Sequence, residues 1–120
     1  MKRTCFLLLT FGLVLIHKHA YSQDTLRGIA SYYADKFDGR KTSSGEVFRQ
    51  KKLTAAHKTM AFGTKVKVVN LKNKKEVIVT INDRLPQKSK RSIDLSKKAA
   101  ETLDFIRSGL TEVLIIPLNN

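Results

Sequence analysis

Glu46, His57 and Asp83 are the ionisable residues of this sequence whose settings invite chemistry. Glu46 closes Thr42-Ser-Ser-Gly-Glu46, a polar loop of the kind that presents a carboxylate to a cleft. Asp83 follows the β-branched run of residues 77–81, so it stands at a strand end, a rigid place for an acid. A carboxylate there has the plainer option of capping a turn, and Arg84 beside it the option of pairing with it. His57, in Leu53-Thr-Ala-Ala-His-Lys58, is the one histidine after residue 22; lone histidines are more often structural than catalytic. Two carboxyls and a histidine able to orient one of them are equipment for general acid–base catalysis. They do not suit a metal, since one histidine, no cysteine beyond Cys5 and no tight carboxylate cluster make no zinc site. No cofactor is implied. Tyr32 and Tyr33 offer flat surface to a ligand, with core packing of either as the alternative. Asp94, two residues before Ser96, fits hydrogen bonding at a helix start better than catalysis.

The elements that must position these groups are mostly short strands. Residues 28–33 predict a first strand, and residues 34–45, rich in Gly, Asp, Ser and Thr, a loop. Residues 65–71 alternate charged and apolar at their start, residues 72–75 form a polar turn, and residues 77–81 return as the second strand of a hairpin. Ser96 predicts the N-cap of a short helix carrying Ala99, Ala100 and Leu103 on one side, and Gly109 breaks the chain. The last strand, residues 111–116, is apolar on both faces, which an edge strand would expose to water. A mainly β, closed small barrel of about six strands with one or two short helices satisfies this pattern.

The first 22 residues stand apart from that domain. Lys2 and Arg3 precede a charge-free run from Cys5 to Ile16, and Ala20-Tyr-Ser22 has the small residues of a cleavage site. This predicts a secretory signal peptide over residues 1–22; the run is too short for the roughly 20 apolar residues of a bilayer span. The mature domain is then residues 23–120, without cysteine, and exported to the periplasm or cell wall. It has no stable membrane anchor: Cys5 opens the apolar run, whereas a lipid-bearing cysteine directly follows one. It retains 20 basic and 10 acidic residues, a balance of +10. Such charge invites a nucleic-acid reading, but export and the absence of a recognisable motif argue against nucleic acid. A basic field instead favours residence on a polyanion such as the bacterial wall. A monomer is expected.

Six strings in series then resemble one family: Gly28-Ile-Ala-Ser-Tyr-Tyr33, Gly39-Arg-Lys-Thr-Ser-Ser-Gly-Glu46, Leu53-Thr-Ala-Ala-His-Lys58, Phe62-Gly-Thr-Lys-Val-Lys-Val68 with Asn70-Leu71, Ile81-Asn-Asp-Arg84 and Ile93-Asp-Leu-Ser96. Together they are similar to the RlpA (rare lipoprotein A) family across residues 27–118. The resemblance implies a six-stranded double-psi β-barrel, as in expansins. It also implies an endolytic lytic transglycosylase acting on peptidoglycan glycan strands, in the best understood members strands stripped of stem peptides, with 1,6-anhydro products. It carries the functional positions onto Glu46, His57 and Asp83. Asp83 is then the acid/base, with a raised pKa; Glu46 stabilises charge or orients substrate, with the two roles open to exchange. His57 fixes a carboxylate by hydrogen bonding, and Tyr32, Tyr33 and Arg84 bind substrate. Leu85 departs from the family's glycine at that position, which predicts a differently shaped loop beside Asp83. The larger members also carry a C-terminal SPOR domain that this sequence lacks, so septal targeting by it is not implied. The alternative is a non-catalytic, expansin-like glycan binder.

Overall fold

The computed structural model describes residues 24–118. The segment read as a signal peptide, with Cys5, lies outside the described residues. Six strands, β1 (Leu26–Tyr32), β2 (Thr54–His57), β3 (Lys65–Asn70), β4 (Glu76–Arg84), β5 (Ile93–Leu95) and β6 (Thr111–Pro117), close into a barrel in the order β1-β5-β2-β4-β3-β6. One helix, α1 (Lys97–Thr102), and a 3-10 turn (Asp35–Phe37) complete it. Among the described residues no helix is long and apolar enough to cross a membrane.

The expected hairpin is β3–β4, antiparallel from Lys65↔Thr80 to Val69↔Glu76. Val66 and Val68 point inward at 0% exposure, and the lysines between and before them lie on the outer face. The strand apolar on both faces is β6, which pairs with β1 on one side and β3 on the other. Two strands were not legible by alternation, β2 and β5, because four and three residues are too few to show a period. They make the parallel pairs of the barrel: β5 runs parallel to β1, and β2 parallel to β4. The main core gathers inward residues of all six strands with Ala99, Ala100, Leu103 and Phe105 from and after α1. Ser96 caps α1 as expected, its hydroxyl accepting from Ala99 N–H at 3.4 Å.

A second, smaller cluster lies outside the barrel wall, where Tyr33, Phe48 and Leu85 cover Ala56 of β2. It anchors the long loop between β1 and β2, which folds back on itself through Gly39 N–H to Phe48 O (2.8 Å) and Phe48 N–H to Arg40 O (2.7 Å). Leu85, the departure from the family glycine, is 5% exposed within this cluster. It is absent from the positive-φ positions, which among described non-glycine residues are Lys74 and Asp104. The position uses ordinary backbone and spends its side chain on packing.

Gly28 marks a close approach. A Cβ there would lie 2.0 Å from Ser92 Oγ and 2.6 Å from Ser92 Cβ. Gly28→Ala is therefore expected to destabilise the domain by about 1–3 kcal/mol, the usual cost of overpacking. Urea denaturation would register it, and Ser92→Gly in the same chain should restore most of the loss. An unchanged midpoint in the single variant would show that β1 and the segment before β5 can move apart freely.

Candidate functional site

The site is built on one transverse row of the barrel wall. Ser31 of β1 is in register with Asp94 of β5, Asp94 with Ala56 of β2, and Ala56 with Asp83 of β4. Register neighbours share a face, so both aspartates stand on the outer face, about 10 Å apart at two strand spacings. Asp83 is reached there only because β4 carries an irregularity. Ala55 pairs with Ile81 and Ala56 with Asp83, leaving Asn82 without a partner on β2. Without that bulge, residues 81 and 83 would share a face and Asp83 would turn into the core.

The turn Thr42-Ser-Ser-Gly-Glu46 lies over this end of β4. Gly45 takes φ +94° as the turn closes, with Gly45 N–H on Thr42 O at 2.9 Å and Thr42 N–H on Glu46 O at 2.8 Å. The turn touches both positions of the bulge: Ser43 N–H donates to Asp83 Oδ1 at 2.8 Å, and Asn82 Nδ2 donates to Glu46 Oε1 at 3.1 Å. Glu46 and Asp83 thus flank one turn. Glu46, Thr80 and Asn82 line two adjoining clefts of about 430 and 260 Å³, which makes a trough on the Glu46 side of it.

The two aspartates are driven in opposite directions. Burial pushes the Asp83 carboxyl up, but donors outweigh it: Tyr33 O–H at 2.6 Å, Ser43 N–H at 2.8 Å and Arg84 N–H at 2.9 Å. The net effect holds it below the usual carboxylate range. Burial also pushes Asp94 up; the Ser31 hydroxyl (2.9 Å) and the Arg91 charge pull it back, the Asp83 charge adds to the rise, and the net shift is upward. Asp83 is the ionised member of the pair and Asp94 the one that holds its proton to higher pH. The raised pKa expected of Asp83 therefore belongs to Asp94, and Asp94 plays no part in capping α1.

The remaining sequence candidates divide. Tyr33 stacks on Phe48 at 4.1 Å and 21°, and burial together with Asp83 raises its phenol far above the ordinary range, so it is a fixed neutral donor. Tyr32, one residue earlier, faces away: it packs edge-on against Phe105 and donates to Ile106 O at 2.9 Å. His57 is 5% exposed and hydrogen-bonds no carboxylate through Nδ1, which accepts Thr59 and Met60 N–H at 3.1 Å each. Burial and the Arg84 and Lys58 charges lower its pKa, so it is a neutral ring with its proton on Nε2. Arg84 makes no ion pair with Asp83; its Nη1 donates to His57 O (3.1 Å) and Met60 O (2.8 Å), and the guanidinium lies 4.2 Å over the Phe62 ring. His57 and Arg84 thus brace the same turn, residues 58–62, at the end of β2. Sequence reading did not single out Ser31 and Asn82, and it preferred a helix-start role for Asp94; the usable signal for an outward Asp94 was Ile93-Asp-Leu95, where two apolar residues flank a charge as an outward strand position requires.

Tyr33→Phe gives a pH-dependent test of this geometry. A carboxyl with a depressed folded pKa contributes stability above its unfolded pKa of about 3.9, and that contribution is lost as pH falls through the folded value. Removing the hydroxyl shrinks the depression. The variant is expected to be less stable than the wild type at pH 6–7, by about 1.5–3 kcal/mol for a hydrogen bond to a charged group, with the gap closing in acid. Denaturant midpoints across pH would check it; a gap constant with pH would assign the hydroxyl to packing alone.

A closed six-stranded barrel with parallel pairs β1–β5 and β2–β4 is a double-psi β-barrel. The solved structures similar to it agree in fold. The Streptomyces papain inhibitor aligns with TM-score 0.66 at 19% identity, over 81% of this chain and 96% of that one. An expansin of Clavibacter michiganensis aligns with TM-score 0.62 at 20% identity, over 80% of this chain and 51% of that one. In sequence, the family described as lytic transglycolase matches residues 25–115. The endolytic peptidoglycan transglycosylase RlpA of Campylobacter jejuni is 51% identical over 90 residues, 75% of this chain and 33% of that protein. The protein of the same name from Haemophilus influenzae is 51% identical over 92 residues, 77% of this chain and 32% of that protein. The chain belongs to the RlpA family of double-psi β-barrels, and spans about a third of the length of these relatives.

Proposed function

We propose that this domain is an exported, monomeric endolytic lytic transglycosylase that cleaves peptidoglycan glycan strands between MurNAc and GlcNAc during wall remodelling. The observation that carries the proposal is the Asp83–Asp94 row, two carboxyls whose surroundings push their pKa values apart. Asp94, protonated, delivers its proton to the leaving glycosidic oxygen as the C1–O bond breaks. Asp83, ionised and held by three donors, stabilises the positive charge that develops at C1. The sugar's own C6 hydroxyl oxygen then attacks C1 to close the 1,6-anhydro ring, and its proton returns to Asp94. No water is consumed and Asp94 ends as it began. Glu46, on the trough, orients the strand. His57 and Arg84 hold the turn that borders it.

Digestion of purified glycan strands, with mass spectrometry of the fragments, tests this. Anhydro-ended fragments, lighter by one water than hydrolysis products, are expected. Reducing ends without the anhydro ring would make the domain a hydrolase. Tight binding without product at any pH would make it an expansin-like binder, the reading with which the shared fold is also compatible.

A further inference from the structure

Asn82 is the residue of the site whose own position is hardest to explain by packing. It sits at the bulge of β4, without a partner on β2, and is 4% exposed although its side chain is a carboxamide. Its Nδ2 donates to Glu46 Oε1, while its Oδ1 is buried with no hydrogen-bond partner among the described residues. Buried amides normally satisfy both ends, so this one holds an orientation at a cost. The orientation has an evident reason. Turned over, the amide would set its oxygen against the Glu46 carboxylate oxygen. Glu46 itself is exposed, and Asn82 Nδ2 is the side-chain donor that its carboxylate meets. Both residues line both clefts of the trough.

We propose that Asn82 is a positioning residue for Glu46, fixing the carboxylate at the trough through a buried amide on the outer face of β4. This rests on the assignment of Glu46 to the glycan trough. A long exposed glutamate samples many rotamers; one bond from a rigid strand selects those that face the substrate. Alternation places Asn82 on the outer face and the bulge adds Asp83 beside it, so that the turn at residues 42–46 is held from both.

Two variants test it. Asn82→Leu keeps the size of the side chain and removes the donor; kcat is expected to fall on the order of 10²-fold, the loss typical of a misplaced group, with a smaller change in KM. Asn82→Asp is nearly isosteric and carries the sharper readout. When the two facing carboxyls share one proton, the introduced carboxyl still donates to Glu46, and activity should approach the wild type. When that proton leaves, the donor becomes a repelling charge, and activity should fall. The Asn82→Asp enzyme is therefore expected to show a second alkaline limb, beyond the one that loss of the Asp94 proton gives the wild type. Wild-type activity in Asn82→Leu, or a wild-type pH profile in Asn82→Asp, overturns the proposal. Calorimetric affinity for chitohexaose, measured on the same proteins, separates this from the enzymatic assignment. If the wild type yields no product, that assignment fails. A pH-dependent loss of affinity confined to Asn82→Asp still supports Asn82 as the support of Glu46, and unchanged affinity in both variants removes it.

Discussion

Asp94→Asn is expected to lower the release of anhydro-ended fragments by about 10³-fold, within the range that a positioned general acid contributes, without weakening the fold. The reason lies in the sign of the shift. Asp94 has its pKa raised by burial, so the folded state prefers the neutral carboxyl. A raised pKa contributes stability below the unfolded value and loses it as pH rises through the folded value. Above that point the wild type carries an ionised, partly buried carboxylate beside the Asp83 charge, and the asparagine variant does not. The introduced carboxamide keeps an oxygen to accept from Ser31 Oγ, which bonds Asp94 at 2.9 Å. The variant should therefore match the wild type in acid and exceed it in stability at neutral pH and above. Product analysis and denaturation across pH check the two halves. Substantial turnover in Asp94→Asn would remove Asp94 as the proton donor.

Asp83→Asn provides the opposite sign. On the proposed mechanism it too should lose product, but it surrenders a carboxylate that three donors hold ionised. It should be less stable than the wild type at neutral pH. Two aspartates in one row, lost with similar catalytic effect and contrary effects on stability, would be the signature of a divided acid and charge-stabilising role.

How much of this was legible in the sequence depended on whether the signal was local. The β3–β4 hairpin, the Ser96 cap and the doubly paired β6 follow from alternation, a hydroxyl and an apolar run, all visible within a few residues. The second cluster and the bulge were not visible, because register belongs to a pair of strands. Nothing in Ile81-Asn-Asp-Arg84 says that β2 will skip Asn82. For the same reason the option of an Arg84–Asp83 ion pair, open in the sequence, is not taken up. Neighbours in sequence invite pairing, but on the strand the guanidinium leaves toward the carbonyls of His57 and Met60. Asp94 was credited to the helix because Ser96 stands two residues on. The three-residue strand β5, with Ile93 and Leu95 both at 0% exposure, instead sends it outward to Ser31. Motif resemblance did carry Glu46 and Asp83 to one place. What it could not carry was the charge state of Asp83, which is set by donors from Tyr33, Ser43 and Arg84.

Phe48→Ala is expected to have the largest effect on stability, about 3–5 kcal/mol, the range for removing a buried phenylalanine. Phe48 is 1% exposed, stacks on Tyr33 and packs in the cluster with Ala56 and Leu85. A domain of this size has only about 5–15 kcal/mol in total, so the loss takes a large share of it. Its location makes the consequence specific. Phe48 is the apolar anchor of the loop that supplies Tyr33 O–H and Ser43 N–H to Asp83, and the cavity left behind opens between that loop and the wall of β2. Hydrogen exchange should accelerate first at Gly39, Thr42 and Phe48, whose N–H groups close the loop on itself. The β3–β6 ladder should hold its protection until global unfolding. With Tyr33 and Ser43 loosened, Asp83 loses the donors that keep it ionised, and its carboxyl should titrate at higher pH, readable by NMR. Val47→Ala, one residue away but 43% exposed, should change stability by no more than about 0.5 kcal/mol. Equal losses in the two variants, or exchange that speeds up uniformly across the barrel, would mean that the loop has no separate anchor and that the Asp83 donors are held by the barrel as a whole.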